Sequence, residues 1–428
     1  MILLLGLLLA QADTIRLGAG VHHGPLVLAR PTVVLGAPGA ILRGNGQGSV
    51  LRIEAAGSTV RDLRIERGGR NPDGDDAGVL VLADSVTLER LVIRDVLFGV
   101  YLREVKDVVL RELDIDGPPG LAESAMGDGI HFFHSRRVVA ADNRISHMRD
   151  GMYFAYSDSV TVSGNEVTAV RFGLHYMFSH QNHFSDNRFH DNAAGAVLMN
   201  SNGLVVRQNV FSWNRGSRSY GLVLQTTTGA VIENNVMAGN GVGIFLDNAI
   251  AARITGNRIA GNWLALQLFP NSERTVLTGN SIEGNTFDAA GGWSEGAYEL
   301  CAGGQGNYWS AARRDGFDLD KDGMLDQPYP ASSPLGELAR DREPLRLFLD
   351  SPAARVIAWA ERTFPVFQVD QITDPCPLST APPMVARVST VKEFTGPKSN
   401  RMAQGGLASG AMVAGILLIR TVAARRRP

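Results

Sequence analysis

Residues 157–179 read SDSVTVSGNEVTAVRFGLHYMFS and contain one complete period of a repeat that decides the fold. Asparagine recurs along the chain with spacings of 22, 22, 22, 26, 22 and 23 residues, and glycine recurs in step with it. The two series are Asn143, Asn165, Asn187, Asn209, Asn235, Asn257 and Asn280, and Gly129, Gly151, Gly173, Gly195, Gly221 and Gly243. A fixed period of this length is typical of a solenoid, in which each repeat buries its apolar face only against its neighbours.

Each period contains short runs in which apolar and polar residues alternate, separated by Gly, Asn, Ser and Asp. This alternation predicts strands, whereas helical periodicity is missing from the repeats. Asparagine tolerates the left-handed turn conformation, and its amide can bond the coils above and below. Serine recurs in the same way at Ser135, Ser157, Ser179 and Ser201. The sequence therefore predicts an all-β protein, a right-handed parallel β-helix with coils of about 22 residues.

Weaker repeats extend the predicted β-helix towards the N-terminus. Leu63, Leu91 and Leu113 take the position of the repeated asparagine, and insertions rich in turn residues fall at 68–76 and 117–125. We expect the first irregular coils to cap the stack, because an open solenoid end exposes unpaired core. The predicted β-helix spans residues 13–345.

Both ends of the chain carry membrane-related signals. The apolar run of residues 1–12 ends in Ala-Gln-Ala and predicts a signal peptide. Residues 346–404 are rich in Pro and polar residues, as in a linker, and residues 405–424 predict a C-terminal transmembrane anchor followed by three arginines. We therefore expect a periplasmic protein anchored to the inner membrane by its C-terminus. In that compartment Cys301 and Cys376 can form a disulfide, the alternative being two free thiols.

The composition argues against a nucleic-acid-binding protein. The chain has 428 residues and a formal net charge of −2. Its basic residues are scattered, apart from the last few, and no basic stripe is paired with aromatic residues. Nucleic acid is therefore not an expected partner.

A group of histidines and methionines follows the repeated glycines. His131 and His175 lie two residues after a repeated glycine, and Met177 and Met199 lie four residues after one. Alternation places these side chains on one face, and equivalent positions on successive coils stack about 4.8 Å apart. Imidazole and thioether are the ligands expected for Cu(I). The four residues are the candidate copper ligands, and the alternative is that they only fill the core or a surface ladder.

An acidic pair supports a different hypothesis. Asp128 and Asp150 precede consecutive repeated glycines, so their carboxylates would lie about 5 Å apart, near the separation of a retaining glycosidase. This arrangement suggests a carbohydrate-active β-helix: a polysaccharide hydrolase, lyase or epimerase. Because only two such residues stack, ion pairs with Arg149 or Arg171 are the simpler interpretation.

An acidic motif follows the repeats. Residues 318–326 read DLDKDGMLD, with oxygen-bearing residues at the first, third and fifth positions and glycine at the sixth, as in a calcium loop. The twelfth position holds tyrosine in place of the usual glutamate. The predicted calcium ligands are Asp318, Asp320, Asp322 and Asp326, and the alternative is a solvated acidic turn.

Taken in order, these motifs resemble the NosD family of nitrous-oxide-reductase maturation proteins. The resemblance covers residues 20–345 and is carried by GDGIHFF (127–133), RDGMYFAYS (149–157), FGLHYMFS (172–179) and GIFLDN (243–248), followed by GNYWS (306–310) and GFDLDKDGMLDQPYP (316–330). It implies a periplasmic accessory protein that works with an ABC transporter to supply the copper centres of nitrous oxide reductase. We expect it to act as a binding scaffold or a copper carrier, and not as an enzyme. Its implied partners are the ATPase and membrane subunits of an ABC transporter, the apo reductase and a copper chaperone.

Overall fold

The computed structural model describes residues 13–216, 219–292, 296–314, 316–332, 351, 353, 356 and 372–383. Over these residues the chain forms a right-handed parallel β-helix, which confirms the predicted fold class. Three single-turn 3-10 helices interrupt the described strands, at Pro72–Gly74, Glu123–Ala125 and Ala312–Arg314. None of the described helical segments has the length and apolar character that crossing a bilayer requires.

The strands of the described residues lie in two large parallel sheets and one small antiparallel sheet. The smaller parallel sheet contains β3 (Leu26–Leu28), β6 (Leu51–Ile53), β8 (Ala77–Val81), β10 (Phe98–Arg103), β13 (Ile130–Phe133), β16 (Asp150–Ala155), β19 (Phe172–Met177), β22 (Ala194–Asn202), β25 (Tyr220–Thr228), β28 (Val242–Ile250), β31 (Leu264–Leu268) and β34 (Phe287–Gly291). The larger parallel sheet contains β1 (Asp13–Leu17), β2 (Gly20–His23), β4 (Thr32–Gly36), β5 (Ala40–Arg43), β7 (Thr59–Glu66), β9 (Thr87–Arg94), β11 (Val109–Arg111), β12 (Asp114–Asp116), β14 (Val139–Ala141), β15 (Arg144–Ser146), β17 (Thr161–Ser163), β18 (Glu166–Thr168), β20 (His183–Ser185), β21 (Arg188–His190), β23 (Val205–Arg207), β24 (Val210–Ser212), β26 (Val231–Glu233), β27 (Val236–Ala238), β29 (Arg253–Thr255), β30 (Arg258–Ala260), β32 (Thr275–Thr278), β33 (Ser281–Glu283), β35 (Tyr298–Glu299) and β36 (Tyr308–Trp309). The antiparallel pair is β37 (Tyr329–Pro330) and β38 (Thr373–Asp374).

Each coil has three walls, two of which belong to the larger sheet. These two walls form one sheet because β7 and β9 each continue through the corner at which the later coils have two separate strands. Side chains alternate between the core and the outer surface, as a strand requires. In the smaller sheet Phe132, Phe154 and Tyr176 are fully buried, and the rings of the first two stack 4.2 Å apart.

The repeated asparagines bond successive coils. The Oδ1 of Asn187 accepts hydrogen bonds from the backbone N–H and the side-chain amide of Asn165, both at 2.9 Å, and the Asn165 amide also donates to the Ala140 carbonyl. The predicted bonding role is confirmed. The expected left-handed conformation is wrong for the asparagines themselves: the preceding residue adopts it, as at Asp142 (φ 56°) and Gly164 (φ 68°), because the chain turns before the amide enters the core.

A second asparagine series follows the first by five residues and was not recognised in the sequence. Its members bond in the same way, the Asn192 N–H donating to Asn214 Oδ1 at 3.2 Å. The recurrence of Asn five residues after the first series is the signal that identifies it. The second series is Asn192, Asn214, Asn240, Asn262 and Asn285. The predicted serine ladder is also present, with the N–H of Ser157 donating to Ser179 Oγ at 2.8 Å.

The repeated glycines permit a close approach between coils. A Cβ atom on Gly173 would lie 2.4 Å from the carbonyl oxygen of Gly195 and 2.7 Å from the Phe189 ring. Real side chains do not tolerate such contacts with backbone, so only glycine fits there.

A segment from the predicted linker closes the C-terminal end of the described β-helix. Asn307 continues the first asparagine series, because its Oδ1 accepts from the Asn280 N–H at 3.1 Å. Asp374 Oδ2 accepts hydrogen bonds from the Asn307 N–H and the Trp309 indole, both at 2.8 Å, and so ends that series. Burial raises the pKa of the Asp374 carboxyl above its usual value, and the hydrogen bonds from Trp309 and Asn307 only partly offset this. Cys301 and Cys376 form a disulfide, which decides between the two alternatives for these residues.

Several predicted segments lie outside the described residues. They are the signal peptide at 1–12, the anchor at 405–424 and most of the linker at 346–404. Within that linker, residues 372–383 lie against the last coil. The predicted domain boundaries therefore stay predictions.

Candidate metal-binding site

The candidate copper ligands lie on the outer surface of the smaller sheet. Strands β13, β16 and β19 point Phe132, Phe154 and Tyr176 into the core, so the residues between them point outward. Parallel pairing sets Tyr101, His131, Tyr153 and His175 side by side in one row, called here the imidazole row. The core alternative for the histidines and methionines therefore does not apply.

Met177 and Met199 are direct neighbours on adjacent coils, in the row two residues further along the strands. This pair is called here the thioether pair. Both side chains are partly exposed, whereas Tyr176 and Leu198 beside them are fully buried. His175 shares strand β19 and its outer face with Met177. The structure thus brings His175 and the thioether pair to one small area of the surface.

His131 is separated from His175 by an aromatic ring. The Tyr153 ring stacks on His131 with centroids 4.6 Å apart and meets His175 edge-on at 4.8 Å. Tyr101 stacks on the other face of His131 at 4.3 Å. Because Tyr153 lies between the two imidazoles, one ion cannot contact both without rearrangement of that ring. His131 therefore forms a position of its own on this surface.

Each imidazole of the row is held by a buried carboxylate. His175 Nδ1 lies 2.8 Å from Asp150 Oδ2, and His131 Nδ1 lies 2.8 Å from Asp128 Oδ2. Both carboxylates have side-chain exposures of 0%, against 17% for His175 and 12% for His131. A carboxylate on one ring nitrogen orients a histidine whose other nitrogen binds a metal.

The same carboxylates are paired with arginines. Arg171 donates to both oxygens of Asp150, at 2.8 and 2.6 Å, and Arg149 donates to Asp128 at 3.2 Å. Burial raises the pKa of the Asp150 carboxyl, but hydrogen bonds from His175 and Arg171 outweigh it and lower the pKa below its usual value. Asp150 is therefore ionised at neutral pH.

This pairing bears on the carbohydrate-enzyme hypothesis for Asp128 and Asp150. A glycosidase needs one carboxyl group with a raised pKa as its general acid, and both groups must reach the sugar. The two carboxylates are inaccessible, and the pKa of Asp150 is lowered. The ion pairs considered in the sequence analysis account for both residues.

The sequence has seven histidines between residues 131 and 190, and those other than His131 and His175 are spread over different surfaces. His147 and His190 lie on the larger sheet side, where they contact Asp116 and Glu166. His134 stacks on Tyr156 at a corner of the coil, with ring centroids 4.8 Å apart. The count of histidines in the sequence therefore overstates the number available to one site.

The acidic motif forms a compact loop. Carboxylate oxygens of Asp318, Asp320 and Asp322 lie within 4.8 Å of one another. Asp318 Oδ1 is buried and has no hydrogen-bond partner. Asp326 faces the Leu319 N–H, from which its Oδ2 accepts a hydrogen bond at 3.0 Å. The loop brings three of the four predicted calcium ligands together.

The sequence is similar to proteins of one family over most of its length. It is 32% identical to the "Probable ABC transporter binding protein NosD" of Pseudomonas aeruginosa, over 89% of this chain and 94% of that protein. It is 31% identical to the protein of the same name from Stutzerimonas stutzeri, over 86% of this chain and 87% of that protein. The chain belongs to the NosD family.

The NosD family model matches residues 111–313 and describes a periplasmic copper-binding protein. The matched range includes the imidazole row from His131 onwards and the thioether pair. Among solved structures, the A-module of a mannuronan C-5 epimerase from Azotobacter vinelandii is similar, with a TM-score of 0.51 and 16% identity over 68% of this chain and 89% of that one. At this identity the likeness concerns the β-helix fold alone.

Proposed function

We propose that this NosD family protein carries Cu(I) in the periplasm for the copper centres of nitrous oxide reductase and has no enzymatic activity. It would act with the ATPase and membrane subunits of an ABC transporter, receive copper from a chaperone and deliver it to the apo reductase. The family membership and the names of the relatives support the periplasmic, transporter-associated part of this proposal. The proposed anchor at 405–424 would keep the β-helix near the inner membrane.

One observation carries the copper assignment: His175, oriented by a buried carboxylate, shares its surface with the thioether pair. Imidazole nitrogen and thioether sulfur suit Cu(I), and few exchangeable ligands suit a carrier that must release its cargo. Copper is here the cargo of the protein. His131 would offer a second contact point two coils away, reached separately because Tyr153 lies between.

An anaerobic Cu(I) titration with a competing chelator tests this assignment. We expect stoichiometric binding by the purified protein and its loss in the variant His175→Ala, Met177→Ala, Met199→Ala, since all three donors are removed from a solvent-facing surface. The variant should keep its fold, and reductase co-expressed with it should contain less copper. His147→Ala is a matched control because it removes an exposed imidazole on another wall. Equal binding by the triple variant and wild type would contradict the assignment.

We further propose that the acidic loop binds calcium through Asp318, Asp320 and Asp322, with Asp326 bracing the loop. The loop contacts the closing segment, because the Leu325 N–H donates to Pro377 and the Ser379 N–H donates to Gly323. Calcium at 100 times its Kd should stabilise this region by about 2.7 kcal/mol. Hydrogen exchange at residues 372–383 should therefore slow when calcium is added. The variant Asp318→Asn, Asp320→Asn should not respond, and an equal response in both proteins would contradict the assignment.

A further inference from the structure

Two Asp–Arg pairs repeat in register on neighbouring coils beneath the imidazole row, and each aspartate also contacts a histidine, Asp128 on its own coil and Asp150 on the next coil. In each of these clusters, an aspartate lies between a histidine ring and an arginine, and the aspartate is completely buried while the histidine reaches the surface. The clusters are Asp150 with His175 and Arg171, and Asp128 with His131 and Arg149. The two histidines thus meet the same chemistry, a buried carboxylate paired with an arginine, from two different registers, which indicates a shared role.

The hydrogen-bonding groups around the His175 ring determine which of its two nitrogens carries the proton. An ionised carboxylate only accepts hydrogen bonds, and a guanidinium only donates them. Asp150 Oδ2 lies 2.8 Å from His175 Nδ1, so Nδ1 must carry the proton of that bond. The alternative donor to Nδ1 is Arg171, but its nitrogen lies 3.5 Å away and already donates to Asp150 at 2.6 Å. The neutral ring therefore has an unprotonated Nε2.

We propose that Asp150 and Asp128 are positioning residues that hold His175 and His131 in the Nδ1–H tautomer, leaving Nε2 to bind a soft cation, and that Arg171 and Arg149 fix the two carboxylates. The identity of the cation as Cu(I) rests on the proposed function. The tautomer does not, because it is a property of the metal-free protein.

Replacing the aspartate with asparagine removes its negative charge and one acceptor oxygen but keeps the size of the side chain. Both oxygens of Asp150 accept from Arg171, and one also accepts from His175. An amide has one oxygen, which Arg171 would retain, so the NH₂ group of Asp150→Asn would face His175. It would donate to Nδ1 and move the ring proton to Nε2, where it blocks the ligand position. Asp128→Asn is the control, because it removes the carboxylate that contacts His131 and leaves the one that contacts His175.

Nitrogen-15 NMR of the histidine rings in the metal-free protein at neutral pH tests the tautomer directly. His175→Ala and His131→Ala assign the signals. We expect the Nδ1–H form at both positions in the wild type. In Asp150→Asn only His175 should change to Nε2–H, and in Asp128→Asn only His131 should change. Finding the Nε2–H form at His175 in the wild-type protein would overturn the proposal, whatever the aspartate variants show.

Cu(I) titration of the same proteins gives the second readout. Removing a carboxylate that hydrogen-bonds to a metal-binding histidine weakens metal affinity by about 10–100-fold. We expect a loss of this size for Asp150→Asn at the site of His175 and the thioether pair. In Asp128→Asn the Cu(I) affinity of that site should stay within about threefold of the wild-type value, a much smaller change than the loss expected for Asp150→Asn. If the wild type binds no Cu(I), the proposed function fails while the NMR result still decides the positioning role. Unchanged affinity in a folded Asp150→Asn protein would overturn the positioning role while the proposed function stands.

Discussion

Replacing Asn209 with alanine should destabilise the central coils by at least about 3 kcal/mol. Its Oδ1 accepts from the N–H and the amide of Asn187, at 3.0 and 2.9 Å, and its own amide donates to the Phe184 carbonyl at 2.9 Å. The residue is completely buried. Alanine would leave these donors and acceptors buried without partners, and each such group costs about 1–3 kcal/mol.

Hydrogen exchange resolved by coil is the suitable measurement, because repeat proteins open locally and a single unfolding free energy averages over coils. Exchange should accelerate at the coils on either side of residue 209 and much less at the distant ones. Asn202→Ala is the control, since its side chain is exposed at the end of β22 and the substitution retains the backbone N–H that donates to His180. A cost below about 1 kcal/mol for Asn209→Ala would mean that water replaces the amide in the core.

Removing the disulfide should release the closing segment at the C-terminal end of the β-helix. Cys301 and Cys376 are 75 residues apart in sequence, and closing a loop of this length stabilises the folded state by about 4 kcal/mol in the chain-entropy model. In Cys301→Ser, Cys376→Ser the segment 372–383 should exchange faster and the last coil should lose protection. Asp374 would then leave the Asn307 N–H and the Trp309 indole exposed to water.

A reducing agent should reproduce this effect in the wild type and have none in the double variant, which controls for changes other than the bond itself. The tryptophan fluorescence of the wild type should shift on reduction, because Trp309 is completely buried in the closed form. Identical exchange of residues 372–383 with and without the disulfide would contradict a stabilising role.

Much of the candidate site could be predicted from the sequence because it depends on coil-to-coil register. The spacing of 22 residues places Met177 beside Met199 on the next coil, and the structure pairs them. The same reasoning put Asp128 and Asp150 on consecutive coils but assigned them to a catalytic pair or to arginines alone. Their histidine partners were missed, since Asp128 contacts His131 three residues later whereas Asp150 contacts His175 25 residues later on the next coil, so no single spacing relates the two contacts.

The sequence by itself determined the coiled architecture of this protein, the position of its corners and the pairing of Met177 with Met199 on adjacent coils. These features depend on the period, on asparagine amides and on close glycine contacts, each of which involves only adjacent coils. The spacing also places Tyr153 on the coil between His131 and His175. Tertiary structure alone decided that the thioether pair faces outward and that the Tyr153 ring stacks on His131 and meets His175 edge-on, because ring orientation depends on the packing of three coils together. It also decided that Asp374 ends the asparagine series of Asn307, since 67 residues separate them and no repeat relates the two.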